Sequence, residues 1–126
     1  MKRAMIGVFL LLFLPAAGMF AQWGMETLHD PIAHDLTAAA EAAGQQDWAR
    51  AEAAGQSAQR GWRKSWRVNA ALADHTPMED IDSLFARAAV YRQQRDHTEY
   101  AATCRELARR IEAMAQAHTL RWRNLL

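Results

Sequence analysis

Gln45-Gln46-Asp47-Trp48, followed at helical spacing by Ala51, Gly55, Ala58, Trp62, Trp66, Asn69 and Ala73, is the stretch on which the fold turns. Asp47 suits an N-cap, because its carboxylate accepts from the free amide groups that open a helix. Small and aromatic residues every three or four positions then define one apolar face. The same punctuation returns at Gln94-Arg95-Asp96-His97, followed by Tyr100. Each polar break is only a few residues long, so the helices on either side must fold back as antiparallel hairpins. The spacing of the two breaks is too long for a tetratricopeptide repeat of about 34 residues, and the glycine and tyrosine pattern of that repeat is missing.

Four helices are expected. The first opens at Asp30-Pro31, an N-cap with proline at the first helical position, and runs through Ile32, Leu36 and the alanines to Gly44. The second is the stretch above. Thr76-Pro77-Met78-Glu79 has capping-box spacing and starts the third, with Met78, Ile81, Leu84, Phe85, Ala88 and Tyr91 on one face. Asp96 with Glu99 starts the fourth, on which Tyr100, Cys104, Leu107, Ile111, Met114, His118 and Leu125 form a near-heptad stripe reaching almost to the C-terminus. β-Branched residues are few and no alternating run occurs, so the expected class is all-α.

Ahead of this bundle, residues 4–23 carry no charge, follow Met1-Lys2-Arg3, and precede a segment whose charges through Asp47 are all acidic. At about 1.5 Å of rise per residue such a run reaches roughly the 30 Å of a hydrocarbon core, with the basic end in the cytoplasm. Residues 1–24 are therefore read as an N-terminal transmembrane anchor or uncleaved signal, and residues 25–126 as one extracytoplasmic helical domain. The alternative is secretion after cleavage near Ala16-Ala17-Gly18. Trp23, an interfacial aromatic at the end of the run, favours the anchor, and Pro15 is tolerated in a spanning helix. The only cysteine, Cys104, is far from this segment and has no internal disulfide partner.

Fifteen Lys and Arg oppose fourteen Asp and Glu, and with Lys2 and Arg3 set aside the exported part is close to neutral. No global field suggests nucleic acid. Charge is uneven locally: residues 26–47 hold only acids, whereas the second helix beyond Glu52 holds only the bases Arg60, Arg63, Lys64 and Arg67, so the first two helices are expected to attract each other.

Candidate sites are few. Asp74-His75, with Glu79, Asp80 and Asp82 behind it and His118 on the last helix, is the densest set of ligand types, and imidazole with carboxylate suits zinc. No HExxH or paired-histidine spacing accompanies it, and acids opening a helix are explained by the macrodipole. Asp74 and His75 are thus read as capping residues and His118 as a hydrogen-bonded core histidine. Cys104 is read as a buried small hydrophobe. No nucleophile elbow or triad is visible, so no enzyme activity and no cofactor are expected. Trp62-Arg63-Lys64-Ser65-Trp66-Arg67 and Arg121-Trp122-Arg123 interleave aromatic and basic residues, which suits either an anionic bilayer surface or tryptophans packed inward with the cations in water.

The order of N-terminal span, Asp47-Trp48, Trp62 and Trp66, Asp74-His75, the 81–87 stretch ending in Ala86-Arg87, Ile111-Glu112 and a final Asn124-Leu125-Leu126 resembles a family of short bacterial single-span proteins, typical of Firmicutes, catalogued as a domain of unknown function. The resemblance covers nearly the whole chain. Departures are Thr76-Pro77 in place of acids, Phe85 in place of leucine before Ala-Arg, and Leu125 in place of isoleucine. It implies a membrane-anchored helical domain outside the cytoplasm and singles out Trp48, Trp62, Trp66, Asp74, His75 and Arg87 as structural or interaction positions. The function expected is a non-enzymatic interaction or assembly module whose partner is another membrane or envelope protein. The alternative is a small-ligand or metal-ion binder centred on the Asp74-His75 turn.

Overall fold

A computed structural model of the chain describes residues 2–69 and 75–125, and within them all side chains except those of Arg3, Gly18, residues 21–30, 68–69, 75–76, 118–119, 121–122 and 125. The described residues form four helices and no strand: α1 Lys2–Gly44, α2 Trp48–Asn69, α3 His75–Gln93 and α4 His97–Leu125. The all-α class and the two hairpins follow directly from the two polar breaks.

Those breaks are built alike. At the first, the Gln46 amide donates to the Ala43 carbonyl and the Asp47 amide to Ala42, both across 2.9 Å, while Gln46 takes a left-handed φ of 57°. At the second, Arg95 donates to Arg92, Asp96 donates to Tyr91, and Arg95 has the same φ of 57°. This crossed pair of bonds is the Schellman arrangement, which satisfies the orphan carbonyls ending a helix. In each case the next residue is an aspartate that already caps the following helix: Asp47 accepts from the Arg50 amide and Asp96 from the Glu99 amide. One residue thus closes one helix and opens the next.

Both turns lie at the same end of the bundle, since Tyr100 near the start of α4 donates to the Ala51 carbonyl near the start of α2, and Arg92 at the end of α3 pairs with Glu52. Hence α1 and α3 run one way and α2 and α4 the other. α1 packs most extensively against α4 and α2, α3 leans on α4, and α2 and α3 touch at few points. The wide buried face of α1, made of Ile32, Ala33, Leu36, Ala39, Ala40, Ala42 and Ala43, is what a helix needs when two neighbours flank it. Its alanines face the buried Ala51 and Ala58 of α2 and Ala101 and Ala108 of α4, so the backbones approach closely. Trp62, Met78, Ile81, Leu107 and Ile111 fill the remaining volume.

The start of the first helix differs from the sequence expectation. α1 passes through both Pro15 and Pro31 without a break, so Asp30-Pro31 does not open a helix. A proline inside a helix gives up one main-chain bond, and the bonds on either side carry the helix on. The boundary expected between residues 24 and 25 therefore falls inside one helix. The third helix begins at His75 rather than at Thr76-Pro77, a one-residue difference of the size that helix ends commonly show. Ala73, the last member of the α2 stripe, lies outside the described residues.

α1 is about 65 Å long at 1.5 Å per residue, twice the length of α2, and its buried face begins only at Ile32. Among the described residues no helix is long and apolar enough to cross a membrane. The longest unbroken stretch of described apolar side chains in α1, residues 4–17, is shorter than the roughly 20 residues that a hydrocarbon core requires.

Candidate interaction sites on the bundle

Three places on the bundle hold chemistry beyond plain packing. The first joins α2 to α3. The indole N–H of Trp62 donates to Oδ1 of Asp82 across 2.6 Å, and that of Trp66 donates to Oδ2 across 3.2 Å. The two tryptophans are four residues apart, so they lie one turn above each other on α2 and can share one carboxylate. Trp62 is almost wholly buried and stacks on Phe85 with ring centroids 6.5 Å apart, whereas Trp66 is only half-buried. A buried indole brings a large apolar body and one donor that needs an acceptor, and Asp82 supplies it. The buried Ser65 between them is satisfied by donating to the Trp62 carbonyl at 2.8 Å.

The second place lies between the turns. Trp48 is set edge-on to Tyr100 at 5.7 Å, and the Arg95 guanidinium lies over the Trp48 ring at 5.2 Å. The residue that accepts the left-handed conformation in the second turn therefore stacks on the residue that opens α2 in the first. Beside them is a cleft of about 130 Å³ where α2 and α3 diverge, lined by Gly55, Gln56, Gln59, Arg92, Tyr100 and Cys104 among others. Its charged rim, Glu52 and Arg92, is closed by an ion pair of 2.8 Å. Burial pushes the Cys104 thiol up to about 11, and burial together with the neighbouring thiol raises the Tyr100 phenol well above its ordinary value. A thiol that stays protonated at neutral pH is a poor nucleophile, and Cys104 packs as the small hydrophobe expected.

The third place is the outer face of α2. Arg60, Arg63, Lys64 and Arg67 are all exposed, on the side of the helix opposite Ala58, Trp62 and Ser65. The tryptophans pack inward and the cations face outward. No ion pair between these bases and the acids of α1 is found among the described residues. Asp35 accepts instead from the Ser57 hydroxyl at 2.7 Å.

Of the residues singled out in the sequence, Trp48, Trp62 and Trp66 occupy the contacts between elements just described. Arg87 is exposed on α3. Asp74 lies outside the described residues, and so do the side chains of His75 and His118, which places the proposed zinc cluster and the Thr76 capping chemistry outside them too. Among the described residues no group of three His, Cys, Asp or Glu side chains converges as a metal site. Asp82 was hidden in the sequence within the acidic opening of α3. The signal that finds it is the pair of tryptophans at four-residue spacing, each with a donor to satisfy, facing a helix with an acid next to Ile81.

The chain belongs to the family described as Domain of unknown function (DUF4363), whose model matches residues 19–125, from within the apolar run to the end of α4. No curated protein and no solved structure matches the chain.

Proposed function

We propose that this member of the DUF4363 family is a non-enzymatic interaction or assembly module, tethered through residues 4–23 to the cytoplasmic membrane with its helical bundle on the outer side. The observation that carries the reading is the surface of the N-terminal part of α1. Met5, Ile6, Val8, Phe9, Leu10, Leu11, Leu12, Phe13 and Leu14 are all exposed, Phe9 to 68 % and Leu11 to 76 %. Successive exposed positions cover the full circumference of a helix, and an apolar surface on every side favours an apolar surrounding such as a bilayer. The sequence stays uncharged on to Trp23, which brings the run to spanning length, and Lys2 and Arg3 before it favour a cytoplasmic N-terminus. Signal cleavage near Ala16-Ala17-Gly18 would cut inside a helix that continues into the bundle.

The bundle supports a scaffold role more than a chemical one. The cleft's ion pair and phenol bond within the bundle, and its thiol is buried and held protonated. Crosslinking in native membranes followed by mass spectrometry tests the proposal. A reproducible membrane or envelope neighbour linked to the bundle is the expected result, and random neighbours in proportion to abundance would count against an assembly role.

The ligand-binding alternative at the Asp74-His75 turn has its own test. Zinc that raises the melting temperature with saturation, in a way that both His75→Ala and His118→Ala abolish, would put that reading first.

A further inference from the structure

α2 descends toward the tether carrying a stripe of exposed positive charge. Arg60, Arg63, Lys64 and Arg67 follow i, i+3, i+4, i+7 spacing, all are exposed, and none has an ion-pair partner among the described residues. Arg50 pairs with Asp47 and Arg110 with Asp80 and Glu106, while Arg87, Arg105 and Arg109, like the stripe, have no ion pair among the described residues. What sets the stripe apart is that four bases share one face of one helix with no acid among them, on a chain of formal net charge +1.

Its height above the tether follows from the packing of α1 on α2. A β-carbon on Gly61 would meet Ile32 at 2.9 Å, and Asp35 bonds to Ser57, so the two helices run side by side in opposite directions with residue 61 level with residue 32. At about 1.5 Å per residue, Arg67 stands roughly 5 Å beyond the level of Trp23, where the apolar run ends, and Arg60 roughly 15 Å beyond it. Headgroups occupy about 5–8 Å on each side of the hydrocarbon, the Debye length is about 8 Å, and arginine and lysine stems reach down toward an interface. The lower part of the stripe falls in the headgroup layer and the upper part within its field.

We propose that this face of α2 binds the anionic headgroups of the bilayer in which α1 is anchored, orienting the bundle on the membrane instead of leaving it to swivel on its tether. The proposal rests on the tether reading. It gives the basic residues of the Trp62–Arg67 segment a separate role from its aromatic ones: Trp62 and Trp66 hold the bundle, and the bases between and around them meet lipid. A basic residue near an anionic surface contributes about fivefold in binding, so four act together as a strong orienting contact.

The test uses the full chain reconstituted in vesicles of phosphatidylcholine alone and in equimolar phosphatidylcholine and phosphatidylglycerol. Flotation with the neutral vesicles reports the tether by itself. The lipid that copurifies in mild detergent from the mixed vesicles reports the stripe. Wild type should carry phosphatidylglycerol several-fold enriched over phosphatidylcholine. Arg60→Gln, Arg63→Gln, Lys64→Gln and Arg67→Gln combined should bring that ratio to about one, with the helical melt unchanged. A control neutralising Arg50, Arg87 and Arg105, which lie nearer the turns, should keep the enrichment. Loss of flotation on neutral vesicles would overturn the tether and this proposal with it. Normal flotation with no enrichment, or with enrichment that the stripe variant keeps, would overturn the headgroup contact alone.

Discussion

Asp82 holds Trp62 across the seam between α2 and α3, its Oδ1 accepting the indole N–H at 2.6 Å while Oδ2 takes the indole N–H of Trp66 at 3.2 Å. These two helices share little other surface, so this carboxylate and the Arg92–Glu52 ion pair are the polar links described across the seam. Asp82→Ala leaves the Trp62 donor buried without an acceptor and should cost about 1–3 kcal/mol. Asp82→Asn keeps one carbonyl oxygen and should cost less. The check is thermal unfolding of the full chain in detergent, with the near-ultraviolet tryptophan signal as a second readout. Equal stability of all three proteins would show that the link is idle. By the same geometry Trp62→Ala should cost about 3–5 kcal/mol and Trp66→Ala less, since only Trp62 is fully enclosed.

Gly55 and Tyr100 make a test in which the sign changes. A β-carbon on Gly55 would lie 2.6 Å from the Tyr100 hydroxyl oxygen but 4.0 Å from the ring carbon that bears it. Gly55→Ala alone should destabilise, because it displaces the hydroxyl from the Ala51 carbonyl. In a Tyr100→Phe background the same change meets only ordinary contact, and the helix preference for alanine should stabilise by about 0.5–1 kcal/mol. A double-mutant cycle of urea midpoints reads the coupling. Additive effects would contradict the close approach.

The two left-handed turn residues should respond unequally to glycine. A non-glycine residue in this conformation costs roughly 1 kcal/mol, so Gln46→Gly should stabilise by about that much. Arg95→Gly relieves the same strain but removes the guanidinium from the Trp48 ring, so it should gain little or nothing. Identical gains at both turns would mean that the stacking contributes nothing.

Stability should fall in alkali through the cleft. In the unfolded chain the Cys104 thiol ionises near 9, whereas burial holds it to about 11 in the folded protein. The folded state therefore keeps a proton that the unfolded state loses. The stabilisation is fully present below pH 9 and declines as pH rises through the window from about 9 to 11, by about 1.4 kcal/mol per unit. Tyr100, raised by burial, adds a second decline above its ordinary value of 10. Urea midpoints between pH 8 and pH 10 should drop in wild type and stay nearly level in Cys104→Ala.

The fold was legible where one residue does one local job. Asp47 and Asp96 cap as their sequence context demands, and the stripes of α2, α3 and α4 bury Ala58, Trp62, Met78, Ile81, Leu107 and Ile111 as spacing required. What could not be read were relations between helices. Asp82 serves two tryptophans from another element, and nothing near it in the chain distinguishes that duty from ordinary acid at a helix start. Asp30-Pro31 carried a genuine start signal, but α1 is already helical when it reaches Pro31, and proline in an established helix removes one bond without ending it. The bases of α2 were visible as a block, yet that all four stand exposed depends on which face Trp62 and Ser65 turn to the core.

Thiol labelling of intact cells probes whether the bundle is held outside the membrane by the apolar part of α1. Native Cys104 is buried and protonated at neutral pH, so the unmodified chain should resist a membrane-impermeant maleimide and serve as the blank. Gln45→Cys, exposed at the turn farthest from the tether, should be labelled from outside, while Lys2→Cys should be labelled only after the membrane is opened. Labelling of Lys2→Cys from outside with Gln45→Cys protected, or recovery of the protein in the soluble fraction, would contradict the account.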